Sequence, residues 1–295
     1  MYKRQSPSKS IGKAMSFYDF SRKFSTEKAC ADYLYTVKWP HGFICPHCGH
    51  RHGYALSRTR RYQCAKCRKQ TSLTAGTILH RSHLPLRKWF LAMYLVVCDK
   101  RGISALSLAG KIKVSYDTAW NLLRRIRVAM NNRDANYMLE GFVEFDDSYF
   151  GGKIKGKAGR AAGNQAVFVA VAKNEEGKPQ YLKMRVTENV QSGSVRAFST
   201  GNIRAGSVIE TDGFSSYRKP LASAYTHIAE NFSPDSEHLK WLHRIIGNAK
   251  AFINGTYHGT STKHLQMYLS EFCYRFNRRS FNGSIFDRLL VAAVG

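Results

Sequence analysis

The order of apolar patterns predicts a mixed α/β domain standing behind two smaller modules. Three observations predict it. Two tight cysteine pairs lie in a turn-rich stretch before residue 80, helix-period segments follow, and from Gly141 alternating strand-like runs give way to long helical ones. Strands followed by helices imply a mixed core, and 295 residues leave room for two domains. The expected parts are a basic disordered start (1–20), a ribbon region (21–80), a helical region (81–132) and the α/β domain (138–295).

Charge narrows the partners. Lys and Arg number 46 against 20 acidic residues, a formal net charge of +26. Such an excess favours a polyanion, since neutralising phosphates releases counterions. A spanning helix is not expected, because no run reaches the ~20 apolar residues required; Trp89 to Cys98 is apolar but short and flanked by charge. The N-terminus lacks an apolar stretch of signal-peptide length, so a cytoplasmic protein is expected. Cys30, Cys98 and Cys273 stand alone in apolar or aromatic surroundings and read as buried small side chains.

The elements follow in order. Ser25 to Tyr35 has helical spacing with Thr26 as cap. LRKWFLAMYLVVCD, after Pro85, is helical and is broken by Gly102. Two short helices are expected from Ser104 to Lys111 and from Ser115 to about Met130, with Asn131 to Ala135 as a linker. FVEFDDSYFGG reads as a strand ending at a glycine pair, and KIKGKAGRAAGN as a basic loop. AVFVAVAK and QYLKMRVT form a strand pair joined by NEEGKP. A helix spans Val190 to Thr200, SVIETDG is a buried strand, and two helices follow, the first ended by Gly255.

Cys45-Pro-His-Cys48 and Cys64-Ala-Lys-Cys67 are separated by fifteen residues. Each tight turn offers two thiolates, and four complete a tetrahedral structural zinc site. His47, His50 and His52 are then surplus and read as exposed polar groups. The basic stretch between the pairs suits a DNA-facing hairpin; the positions singled out for DNA are 59 to 61, namely Thr59, Arg60 and Arg61.

Ile103 to Arg127 has the pattern of a helix-turn-helix. Ser115 would cap the second helix, and Ala119, Trp120, Leu123 and Ile126 would pack inward. That helix would present Ser115, Tyr116, Asp117 and Thr118 to a major groove, with Arg124, Arg125 and Arg127 toward the backbone. An ordinary helical hairpin fits the pattern equally; charge and ribbon favour DNA.

Carboxylates are scarce, so those at strand ends stand out. Asp146 and Asp147 lie in VEFDDSYFGG, and Asp212 ends SVIETDG. Two carboxylates on neighbouring strands can hold magnesium or manganese, and a metal pair supports in-line phosphoryl transfer. Acidic residues also end strands in ordinary turns. Alternation puts Glu144 and Asp146 on one face and Val143, Phe145 and Asp147 on the other, without saying which faces a site.

These segments, in this order, resemble bacterial insertion-sequence transposases of the DDE class, in the group with an N-terminal zinc ribbon (the ISXO2-like transposase domain). The resemblance covers nearly everything after Phe20. It is carried by the ribbon and following segment, by VEFDDSYFGGK, by IETDGFSSY, and by WLHRIIGNAKAFINGTYHGTSTKHLQMYLSEFCYRFNRR. It implies an RNase H-like mixed sheet with helices. It also implies binding of terminal repeats in double-stranded DNA, strand cleavage, and strand transfer into a target. Homo-oligomerisation on DNA and a place at the bacterial nucleoid go with that reading. The first catalytic aspartate falls on Asp146 and the second on Asp212. The family's glutamate lies seven residues before a lysine that matches Lys250; His243 occupies that position here, but the resemblance favours Asn248 as the third residue, because some members carry asparagine, with His243 as the geometric rival. His243 and Lys250 share a helix face, since seven residues is close to two turns. Lys250 would contact phosphate near the scissile bond. A DNA-binding regulator with an inactive domain is the competing expectation, because the third position lacks a carboxylate.

Overall fold

The computed structural model describes residues 15–56, 60–151, 164–230, 238–281, 283 and 285–295. They form two compact units, one of residues up to Cys98 together with Arg278–Gly295, the other of Asp99–Asn277.

The first unit begins with α1 (Phe17–Lys23) and α2 (Glu27–Lys38). Each is capped by a hydroxyl: Ser16 accepts from Asp19 N–H and Thr26 from Ala29 N–H. A three-stranded antiparallel sheet follows, β1 (Gly53–Leu56), β2 (Arg61–Cys64) and β3 (Gln70–Ser72) in that order. Then come α3 (Leu86–Cys98) and, from the far end of the chain, α10 (Ile285–Val294). The core between these helices is aromatic. Phe286 of α10 lies 5.5 Å from Phe20, 5.6 Å from Phe24 and 5.9 Å from Phe90, ring centre to ring centre. The expected disordered start is therefore corrected at its end, since Phe17 to Phe20 are helical and Phe20 is buried; residues 1–14 lie outside the described residues.

The second unit opens with α4 (Ala105–Ile112) and α5 (Tyr116–Ala135), joined by a three-residue turn with Lys113 in the left-handed region. Ser115 caps α5 as expected. The helix runs through Asn131 to Ala135, where a linker was expected, because Met130 and Asp134 on its last turns are buried. The helical region 81–132 is divided accordingly: α3 belongs to the first unit, α4 and α5 to the second.

A five-stranded mixed sheet forms the centre, in the order β6 (Pro179–Thr187), β5 (Gln165–Lys173), β4 (Phe142–Phe150), β7 (Val208–Thr211), β8 (Thr226–Ala229). β5 runs antiparallel to β4 and β6, whereas β4, β7 and β8 are parallel. β5 is buried on both faces, as its unbroken apolar run requires. One face packs on α6 (Ser192–Asn202) and α7 (Ser215–Ala222) through Phe145, Phe168, Phe198 and Tyr217; the other packs on α8 (Lys240–Tyr257) and α9 (Thr262–Phe276) through Val169, Leu182, Leu242 and Leu269. Among the described residues, no helix is long and apolar enough to cross a membrane.

Candidate active site and zinc ribbon

In the ribbon, Cys45 precedes the knuckle of Cys48, and Cys64 ends β2 ahead of Cys67. The Gly49 N–H donates to Cys45 O and the Arg68 N–H to Cys64 O, closing two matching turns. The four sulfurs lie within 4.8 Å of one another. Cys45 and Cys67 are 3.6 Å apart, as are Cys48 and Cys64. A thiolate tetrahedron with ~2.3 Å zinc bonds has edges of about 3.8 Å, so the donor set fits zinc. Burial opposes ionisation of Cys64, but the N–H groups of Cys67 and Lys66 outweigh it and draw the thiol down to about 7. His47 and His52 are exposed, outside the cluster. Of the positions marked for DNA, Arg60 and Arg61 are exposed, and Thr59 lies outside the described residues.

At the start of α5, Ser115, Tyr116 and Thr118 are all exposed. Ala119, Leu123 and Ile126 are buried as expected, while Trp120 is only half-buried and meets His264 of α9 edge-on at 5.4 Å. Arg124 is exposed and Arg125 half-buried. Arg127 departs from expectation: it is buried and donates to Glu271 of α9 over 2.7 Å, so it is withdrawn from any DNA surface.

The sheet register assembles the carboxylates. β4 and β7 pair in parallel with Glu144 opposite Glu210, and two residues further along each chain stand Asp146 and Asp212, near enough for the charge of the first to act on the second. The alternation left open by the sequence has a definite outcome. Phe145 packs toward α6 and α7, and Asp147 on that face accepts from Tyr217 of α7 at 2.8 Å. Asp146 is on the face toward α8, where His243 Nε2 is 3.7 Å from its Oδ2.

Backbone contacts hold both aspartates. The Asp147 N–H donates to Asp146 Oδ1 at 2.7 Å, and the Phe214 N–H to Asp212 Oδ1 at 3.2 Å. Burial raises the Asp212 carboxyl above its ordinary range and the Asp146 charge adds to this. Asp146, by accepting from it, raises His243. Electrostatically, therefore, the three form one group.

Lys250 is half-buried, with Nζ 5.5 Å from the Phe150 ring centre, and burial lowers its ammonium. Asn248 is exposed; five residues turn the helix by about 140° from His243, away from the carboxylates.

Three supporting residues escaped the sequence reading. Glu144 is buried and accepts the Leu242 N–H at 2.8 Å, capping α8 from the strand that carries Asp146. Lys173 of β5 lies 3.4 Å from Glu144 and 2.6 Å from Glu210. His238 Nε2 donates to the Thr211 carbonyl at 2.9 Å, just before Asp212. For Glu144 a signal existed, since it shares Asp146's face by alternation. Nothing local marks the other two.

Residues 138–277 match the family model of the ISXO2-like transposase domain, and residues 25–70 match the transposase zinc-ribbon domain. Nearly half of the chain is thus an ISXO2-like transposase domain, with a transposase zinc ribbon ahead of it. A relative is described as an uncharacterized protein in transposable element ISH50 of Halobacterium salinarum, 31% identical over 139 residues, which is 46% of each chain. The chain thus spans about half the length of that relative. The transposase-domain match ends at Asn277, the last residue of the second unit, and contains Asp146, Asp212, His243 and Lys250.

Proposed function

We propose that this transposase binds double-stranded DNA at the terminal repeats of its element and performs strand cleavage and strand transfer by metal-assisted phosphoryl transfer. The observation that carries the reading is the convergence of Asp146, midway along β4, and Asp212, just past the end of the adjoining parallel strand β7, with His243 beside Asp146 on α8. The strand order, with β5 alone antiparallel, supports an RNase H-like arrangement.

Asp146 and Asp212 would hold magnesium or manganese, to which oxygen donors are suited. Bound metal supplies activation of a water or 3′-hydroxyl and relief of charge on the leaving oxygen. We assign the third position to His243, supported by its contact with Asp146 and by the place of Asn248 about 140° further round the helix. Held toward its protonated form by Asp146, His243 can donate to a phosphate oxygen or to the departing 3′-oxygen. Lys250, seven residues along the same helix face, sits where its ammonium can meet a neighbouring phosphate. Ser115, Tyr116, Thr118, Arg124 and Arg125 of α5 are proposed DNA contacts, and the four ribbon cysteines are proposed to hold zinc.

The test uses labelled terminal-repeat DNA with Mg²⁺. The parent should nick it. Asp212→Ala should bind equally and lose at least roughly 10²-fold in cleavage, the scale of several kcal/mol of lost transition-state stabilisation. Cleavage surviving in Asp212→Ala sinks the assignment. A parent that binds but nicks with neither Mg²⁺ nor Mn²⁺ favours the second reading, a DNA-binding regulator, whose support is the imidazole standing where a third carboxylate would be.

A further inference from the structure

The first unit contains an open cleft of about 670 Å³ between the β2–β3 edge of the ribbon and the start of α3. Arg60, Arg61 and Ser72 line it from the ribbon side, and His83 and Arg87 from the side of α3. Arg61 and Ser72 are paired across β2 and β3, so both belong to a hydrogen-bonded sheet and not to a loose loop.

The one acidic residue in its lining, Glu27, is already engaged. Its Oε1 accepts from Arg60 at 2.7 Å and from the Leu86 N–H at 2.8 Å; its Oε2 accepts from the Arg87 N–H at 3.1 Å. One carboxylate therefore satisfies the N-terminus of α3 and fixes Arg60 across the cleft. It leaves the Arg61 and Arg87 side chains, both exposed, to face outward with His83. The charge of the cleft is net positive, and its opening suits a polymer passing through better than an enclosed small molecule.

We propose that this cleft is a docking site for the sugar–phosphate backbone of DNA, with Arg61 and Arg87 contacting successive phosphates. The proposal rests on the transposase reading and deepens it. It moves the ribbon's DNA contact from the tip of its hairpin to the groove between ribbon and helix. Contacts of this kind position the protein without reading sequence.

The experiment measures binding of the full-length, zinc-loaded protein to a short duplex by fluorescence anisotropy across a range of salt concentrations. Arg61→Glu and Arg87→Glu are compared with Lys178→Glu, which makes the same charge change at an exposed turn of the other unit. Zinc content and melting temperature confirm that each variant is folded. Each arginine variant should weaken binding about tenfold or more and lower the salt slope by about 0.9 per lost phosphate contact. Lys178→Glu should do far less. Equal losses in all three variants, or unchanged binding in the arginine variants, overturn the cleft assignment. Loss of binding to a matched RNA with duplex DNA binding intact does so too. Nicking assayed in the same preparations separates the failures: a parent that binds and nicks, with arginine variants that bind normally, sinks the cleft alone.

Discussion

Arg127 and Glu271 show how far a single side chain can depart from its sequence context. Arg127 follows two exposed-looking arginines, yet its side chain is 3% exposed and that of its partner 1%. Its guanidinium also lies 4.1 Å from the Tyr268 ring centre, which compensates for an Nη2 without a hydrogen-bond acceptor. Breaking one side of a buried pair strands the other charge, so Arg127→Ala should cost about 3–5 kcal/mol in urea unfolding. Arg127→Met with Glu271→Leu should recover part of that. Recovery of none would show that Arg275 and Tyr257, also near Glu271, need its charge. Two ionisations give pH dependences of defined sign. The Cys64 thiol is lowered in the fold, so its contribution is complete above the ordinary thiol value and fades as pH falls through about 7. Zinc release to a chromogenic chelator should therefore increase on acidification, and Cys64→Ser should fall below the parent's zinc stoichiometry at every pH. Asp212 is raised, mainly by burial, so protons compete with metal there at higher pH than at an ordinary aspartate. Mn²⁺ affinity should decline in mildly acid solution, and Asp212→Asn should abolish that decline.

At the scale of elements, the candidate site depends on how α8 is anchored. The helix begins after Leu239, in the left-handed region, with no side-chain cap of its own. Glu144 supplies the missing acceptor from the strand, and Lys173 holds Glu144 in turn. Glu144→Ala leaves a buried N–H unpaired, at a cost of about 1–3 kcal/mol. Amide exchange at Leu242 and His243 should accelerate while that of β5 stays slow; uniform acceleration would mean the strand and not the helix had been loosened. The central strands, α8 and α9 were legible because their apolar periods are long, although α8 continues through Gly255, where it was expected to end, to Tyr257. Asp146 was legible as a scarce acidic residue inside a strand pattern, Asp212 as one at a strand end, and the ribbon as cysteine spacing. Which face of β4 looked toward α8 was not, because alternation defines two faces and only packing chooses between them. The assignment proposed for His243 over Asn248 rests on the same packing. The end of α5 was misread because Asn131 to Ala135 is polar in sequence, although Asp134 is buried and its carbonyl accepts from Lys183. α1 and α10 left little local trace, since short helices are held by tertiary packing more than by propensity.

At the scale of the molecule, the two ends of the chain share one core. α10 brings Phe286 into the aromatic cluster of α1 to α3, Ala293 O accepts from the Ile78 N–H, and Asp287 accepts from Tyr33 at 2.6 Å. Removing residues 278–295 should therefore destabilise the zinc-bearing unit and spare the sheet unit. Limited proteolysis of the truncated protein should cut within residues 15–98 first; protection there with cleavage in the sheet would refute this division. The arrangement also sets an order for synthesis on the ribosome. The N-terminal unit emerges first but cannot complete its core until α10 has been translated. Residues 99–277, by contrast, form a compact unit of their own and can fold while α10 is still in the exit tunnel. A frameshift between the codons of Asn277 and Ile285 would then leave the carboxylate site standing on a chain whose ribbon unit had lost its keystone.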